Sequence, residues 1–111
     1  MKSSIFRLTS HSWSYLLVLK AGTYQHEGGP GNLGLARQSY QAAIDREPGI
    51  DAAWWGLTMI SLEAKEYDRT VILLTTMHQK FGVNLRGLLT LPVFADFIQS
   101  DAYRNWAARP Q

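Results

Sequence analysis

Apolar positions recur with the period of a helix along most of this chain. The pattern is densest over residues 51–67, Asp-Ala-Ala-Trp-Trp-Gly-Leu-Thr-Met-Ile-Ser-Leu-Glu-Ala-Lys-Glu-Tyr. Trp54, Leu57, Ser61 and Ala64 follow one another at spacings of three and four and mark one face. Trp55, Met59, Leu62 and Glu63 mark a second face, also mostly apolar. A helix with two apolar faces has a neighbour on each side, or one neighbour and a binding groove. The pattern therefore predicts a central helix with Trp54 and Leu57 in the core. Asp51 is suited to cap its first turn. Pro48 and Gly49 close whatever precedes it.

The flanking stretches read as further helices. At the start, Ile5, Phe6 and Leu8 suit either a short helical turn over one end of the core or an irregular lead-in. Ser10 or Ser12 can cap a first helix reaching Gln25. Its two sides are Trp13, Leu16, Leu19 and Thr23 on one hand, and Leu17, Ala21 and Tyr24 on the other. The glycine-rich run 26–32 interrupts it. Asn32 can cap a second helix reaching about Glu47, with Ala36, Tyr40, Ala43 and Ile44 inward and Arg37, Gln38, Gln41, Asp45 and Arg46 wet. The turn at Lys65 and Glu66 is short, so a fourth helix over 67–80 must return antiparallel. Val71, Leu74 and Met77 point inward from it, and Gly82 follows as a left-handed stop. Residues 83–91 give a weak pattern, because Gly87 discourages a long helix. Pro92 suits the first turn of a short helix bearing Phe94, Phe97 and Ile98. Ser100 can cap a last short helix with Tyr103 and Trp106, and this aromatic segment is expected to seal the end of the fold.

Bulk composition narrows the field. The chain has 111 residues, enough for one domain with a single core. A hydrophobic fraction of 46% with four tryptophans indicates a folded chain. The formal charge is +2 and the basic residues are scattered, which argues against nucleic acid. Cysteine is absent, which removes disulfides and thiolate metal sites and accords with a cytoplasmic location. Lys2 and Arg7 ahead of the apolar residues 15–19 faintly resemble a secretory leader. The apolar run is short and a small-residue cleavage site is poor, so a mature helix is the expectation. No run approaches the ~20 apolar residues of a membrane span.

The chain also repeats itself. Leu33 and Tyr67, Ala36 and Thr70, Tyr40 and Leu74, Ala43 and Met77, and Pro48 and Gly82 are each 34 residues apart. A shift of 38 pairs Trp54 with Leu16, Leu57 with Leu19 and Ser61 with Thr23, the extra four residues falling in the glycine run. A helix pair of this period resembles the tetratricopeptide repeat. Ala36, Tyr40, Ala43 and Pro48 fit that family's pattern closely, and Trp54, Leu57 and Tyr67 sit at its positions in the next repeat. The tail from Leu91 to Trp106 looks like the segment that closes bacterial arrays of the family. Thr58, Thr70, Met77 and Gly82 depart from the pattern. The resemblance implies an all-α fold of antiparallel helix pairs stacked as a short right-handed solenoid. Repeat one would cover 10–48, repeat two 51–82 and closing helices 83–111, all in one domain.

Candidate chemistry is sparse. The three histidines His11, His26 and His78 lie far apart without metal-ligand spacing. No serine sits in a strained Gly-x-Ser-x-Gly turn. The glycine run lacks the preceding strand and following Lys-Ser/Thr of a phosphate loop. Glu63, Glu66 and Asp68 gather at an inter-helix turn, where such a cluster forms a solvated rim. Lys20 is expected to pack its stem and keep its ammonium in water. No enzyme, cofactor or metal is expected. The resemblance implies instead a groove for a peptide or protein partner, formed by Leu17, Ala21 and Tyr24 on the first helix and Trp55, Met59, Leu62 and Glu63 on the central one. The alternative is a self-associating scaffold piece, such as a homodimer.

Overall fold

The structure is a computed structural model that describes residues 10–109. The expectations for Ile5, Phe6, Leu8 and the leader-like start lie outside the described residues, as do the side chains of Ser10 to Trp13. Every regular element is helical, and no strand occurs among the described residues. In order they are α1 (Ser10–Glu27), α2 (Pro30–Arg46), α3 (Asp51–Glu63), α4 (Tyr67–Phe81), α5 (Leu85–Leu88), the 3-10 turns Pro92–Phe94 and Phe97–Gln99, and α6 (Asp101–Ala107). The chain divides into two compact units, Met1–Leu57 and Thr58–Gln111. The boundary falls inside α3.

In the first unit α1 and α2 pack on one another, joined by only Gly28 and Gly29. Both glycines have positive φ, 75° and 87°, a region glycine enters without a Cβ clash. So short a link between two long contacting helices leaves only an antiparallel return. The loop is tighter than the sequence suggests, because Pro30 occupies the first turn of α2, where its missing N–H is no loss. Asn32 consequently does not cap α2. It lies inside the helix, and its Nδ2 donates to the Gly28 carbonyl at 2.9 Å.

The inner face of α2 is the expected one: Ala36, Tyr40, Ala43 and Ile44 are all buried. The facing side of α1 is not. Ser14 and Ala21 are fully buried, with Leu17, Val18, Tyr24 and Gln25 half-buried around them. Leu16 is 45% exposed, and Leu19 is 66% exposed. Thus the side holding Leu17, Ala21 and Tyr24, expected to line a groove, is the packed side, and the side matched to Trp54 and Leu57 faces solvent. Side-chain size accounts for the rotation. Small residues at 14 and 21 let α1 approach α2 closely, and Tyr40 extends to Gln25, donating its hydroxyl proton to Oε1 at 2.7 Å.

Tyr40 also reaches the start of α3. Its ring lies so close to Gly56 that a Cβ there would fall inside the van der Waals envelope of Cε1, Cε2 and Cζ. On α3, Ala53, Gly56 and Ile60 form a fully buried stripe. Trp54 and Leu57 are half-buried, which corrects their expected place in the core. The Trp54 indole N–H donates to the Pro48 carbonyl at 2.9 Å, drawing the ring toward the α2–α3 turn.

In the second unit the α3–α4 turn closes by paired backbone bonds. The Lys65 N–H donates to the Leu62 carbonyl at 3.1 Å, and the Glu66 N–H to the Ser61 carbonyl at 2.8 Å. This is the double bond of a helix stop whose left-handed residue is usually glycine. Here it is Lys65, at φ 59°. Helix α4 buries Thr70, Leu73, Leu74 and Met77. It ends at left-handed Gly82, whose N–H donates to the His78 carbonyl at 3.0 Å. The short α5 starts with Asn84, whose side chain accepts from the Gly87 N–H at 3.3 Å. The segment after Pro92 forms two 3-10 turns instead of one short helix. They place Phe94 and Phe97 fully inside. Ser100 caps α6, accepting from the Tyr103 N–H at 3.1 Å. Phe97 is the hub of an aromatic cluster, with ring centroids 5.8 Å from Tyr67, 6.2 Å from Phe94, 5.5 Å from Tyr103 and 6.3 Å from Trp106.

Candidate functional site

The residues expected to form a groove fall into three groups. Trp55 and Met59 are one turn apart on α3, so their side chains leave the same side of the helix, and both are half-buried. Glu63, one turn further, is exposed at the helix end. Leu17 and Tyr24 are also half-buried, but on the α1 side that meets α2. Lys20 is exposed, and its ammonium lies 5.9 Å from the centroid of the Tyr24 ring, a cation–π arrangement. Ala21 is 0% exposed, and Leu62 is buried as well. These two therefore offer a partner almost no surface. Leu17, Ala21, Tyr24 and Trp55 belong to the first unit, and Met59, Leu62 and Glu63 to the second.

Two surfaces escaped the sequence pattern. The first is the outward side of α1, where Tyr15, Leu16 and Leu19 are large, apolar and exposed. Periodicity had marked Leu16 and Leu19 as one face, but it does not say which of two apolar faces is covered. The second is an open cleft of about 510 Å³ in the second unit. The end of α4, the α5 segment and α6 contribute its walls, with His78, Asn84, Arg86, Leu89, Tyr103 and Trp106 among them. No helical period could reveal it, since α5 has only four residues.

The buried polar groups serve the fold. Ser61 Oγ and Thr70 Oγ1 lie 2.7 Å apart, both buried, and join α3 to α4 within the second unit. Each hydroxyl also has a carbonyl in reach: Ser61 Oγ lies 2.7 Å from the Thr58 oxygen and Thr70 Oγ1 3.3 Å from the Glu66 oxygen. Burial raises the Tyr40 phenol above its ordinary pKa of 10.0. Among the described residues no group of three or more His, Cys, Asp or Glu side chains is placed to hold a metal ion. Among them, too, no helix is long and apolar enough to cross a membrane.

Comparison with known proteins returns no match to any family model, curated protein or solved structure.

Proposed function

We propose that this chain is a non-enzymatic interaction module of the tetratricopeptide type, which binds a protein or peptide partner through an apolar, aromatic surface. The observation that carries this reading is the burial pattern. Ala36, Tyr40 and Ala43 on α2 recur 34 residues later as Thr70, Leu74 and Met77 on α4, and all six are buried. The elements that follow the second set, with Phe94, Phe97 and Trp106 buried, supply the closing segment that a short repeat array needs.

The partner-facing residues are Trp55 and Met59, with Glu63 at the rim. A half-exposed tryptophan beside a methionine supplies large contact area and an adaptable neighbour, the composition of an interface hot spot. The exposed Tyr15, Leu16 and Leu19 of α1 favour the second reading, self-association, because contiguous large apolar side chains on a surface mark a contact site. The test compares the parent chain, Trp55→Ala and Leu19→Glu as baits in a source extract and by light scattering over a range of concentrations. The interaction reading expects specific captured proteins that Trp55→Ala loses while its melting temperature holds. Concentration-dependent dimers abolished by Leu19→Glu would favour the second reading. A monomer that captures nothing would overturn both.

A further inference from the structure

The geometry points to the cleft between the end of α4 and α6 as a binding site for a small organic acid, with one carboxylate on an apolar body. This goes beyond the interaction surfaces above and shares no residue with them. The cleft contains one permanent cation, Arg86, and no acidic side chain. Among the described residues Arg86 forms no ion pair. Its neighbours present donors as well. Asn84 uses its side-chain oxygen on the Gly87 N–H, which leaves its amide NH2 for another acceptor. His78 Nδ1 lies 2.8 Å from the Val83 carbonyl. A carbonyl only accepts, so Nδ1 carries the proton and Nε2 of the neutral ring is an acceptor; His78 therefore adds no donor for an anion, and the Asn84 amide is the neutral donor beside Arg86. Trp106 is 7% exposed, and its indole N–H has no acceptor among the described residues. That nitrogen is reached by solvent, so it stands as a donor open to an acceptor in the cleft.

The remaining wall is apolar and aromatic, supplied by Leu85, Leu89 and the Tyr103 ring. A bare inorganic anion would leave that wall unused. A neutral apolar ligand would leave the guanidinium without a counter-charge. One guanidinium with neutral donors around it matches a planar monoanion, which it can bind through two parallel hydrogen bonds. The volume, about 510 Å³, lies in the range of small-ligand pockets, roughly 300–1,000 Å³.

The test is a nitrogen-15 NMR titration of the full chain with 3-phenylpropionate, and in parallel with 3-phenylpropanol, which keeps the apolar body and lacks the charge. The acid is expected to shift the Trp106 indole signal and the Arg86, Gly87 and Tyr103 amides, saturating at about 1 mM or below. The alcohol should bind at least ~10-fold more weakly, and Arg86→Gln should weaken the acid by about tenfold while leaving the alcohol unchanged. Equal binding of acid and alcohol to the parent chain overturns the proposal without recourse to any variant. So do shifts confined to other residues, no saturation by about 10 mM, or an acid affinity that ignores Arg86→Gln.

Discussion

Gly56→Ala should destabilise this protein, against the usual trend for a helical glycine. In most helix interiors the change to alanine gains about 1 kcal/mol, because glycine loses more backbone freedom on folding. At Gly56 the new methyl would occupy the place of the Tyr40 ring. Tyr40 is only 5% exposed, so the ring has no free space into which to turn. It is held at the far end by Gln25, and a Cβ on Gly22 would already lie 4.0 Å from its hydroxyl oxygen. Overpacking of this kind costs about 1–3 kcal/mol and sometimes more. A shift of the ring also breaks the bond to Gln25, worth about 1 kcal/mol. Full expulsion of the ring bounds the loss near the ~3–5 kcal/mol of truncating a buried aromatic. Subtracting the propensity gain leaves a net loss of about 1–3 kcal/mol.

Urea melts of four chains decide the matter: the parent, Gly56→Ala, Tyr40→Ala and the double variant. With the ring gone, Gly56→Ala should recover its ordinary helical gain, so the cycle should show a coupling of about 3 kcal/mol. Gly34→Ala is the internal control. It lies within α2 with open space around its Cβ position, and alanine there should stabilise by about 0.5–1 kcal/mol. A Gly56→Ala chain as stable as Gly34→Ala would refute the contact and the seating of Tyr40 on α3.

Three further outcomes follow from single observations. Lys65 sits at φ 59°, so Lys65→Gly should raise the stability of the α3–α4 turn by about 0.5–1 kcal/mol in urea melts, and a loss would show that the lysine side chain holds the turn. The Ser61–Thr70 bond should give a double-mutant coupling of about 1 kcal/mol between Ser61→Ala and Thr70→Ala, and additive losses would mean the hydroxyls do not meet. Because burial raises the Tyr40 pKa, the unfolded chain loses this proton first. Stability from this group should be intact below about pH 10, then fall as pH rises toward the folded value. Tyr40→Phe should flatten that alkaline decline, and an unchanged slope would assign it elsewhere.

The sequence was a good guide wherever one face of a helix was apolar and the other charged. Helix α2 is such a case: the four residues expected inward are buried, and Ser39 is buried beside them. The ends of α4 and α6 were equally clear, because Gly82 and Ser100 each act through their own local chemistry. Helix α1 was ambiguous for a physical reason. Both its sides carry leucines, so hydrophobicity could not choose between them, and the choice fell to size. Ser14 and Ala21 permit close approach, whereas Leu16 and Leu19 do not. The same logic displaced Trp54 from the core of α3 in favour of Ala53 and Gly56. The largest apolar residue is not the innermost one when another helix brings the bulk. The cleft beside Arg86 left no trace in the periodicity, since its walls come from short segments joined only by tertiary packing.

The two helical registers solve one packing problem with different residues. On α2 the buried set is small, large, small: Ala36, Tyr40, Ala43. A ring as long as tyrosine then overruns its own layer, and the position it meets must have no side chain. Gly56 supplies that. On α4 the corresponding set is Thr70, Leu74, Met77, with a shorter central residue and bulkier flanks. No glycine is required opposite a leucine, but Thr70 brings a hydroxyl into a buried site. An unpaired hydroxyl there would cost about 1–3 kcal/mol. Ser61 on α3, at 2.7 Å, and the Glu66 carbonyl, at 3.3 Å, remove that cost by bonding to it. Each residue that departs from a simple small-and-apolar pattern is thus matched by a second departure across the contact. This reciprocity makes Gly56 and Ser61 more informative about the fold than the tryptophans, because neither has any other reason to occupy a buried helical position.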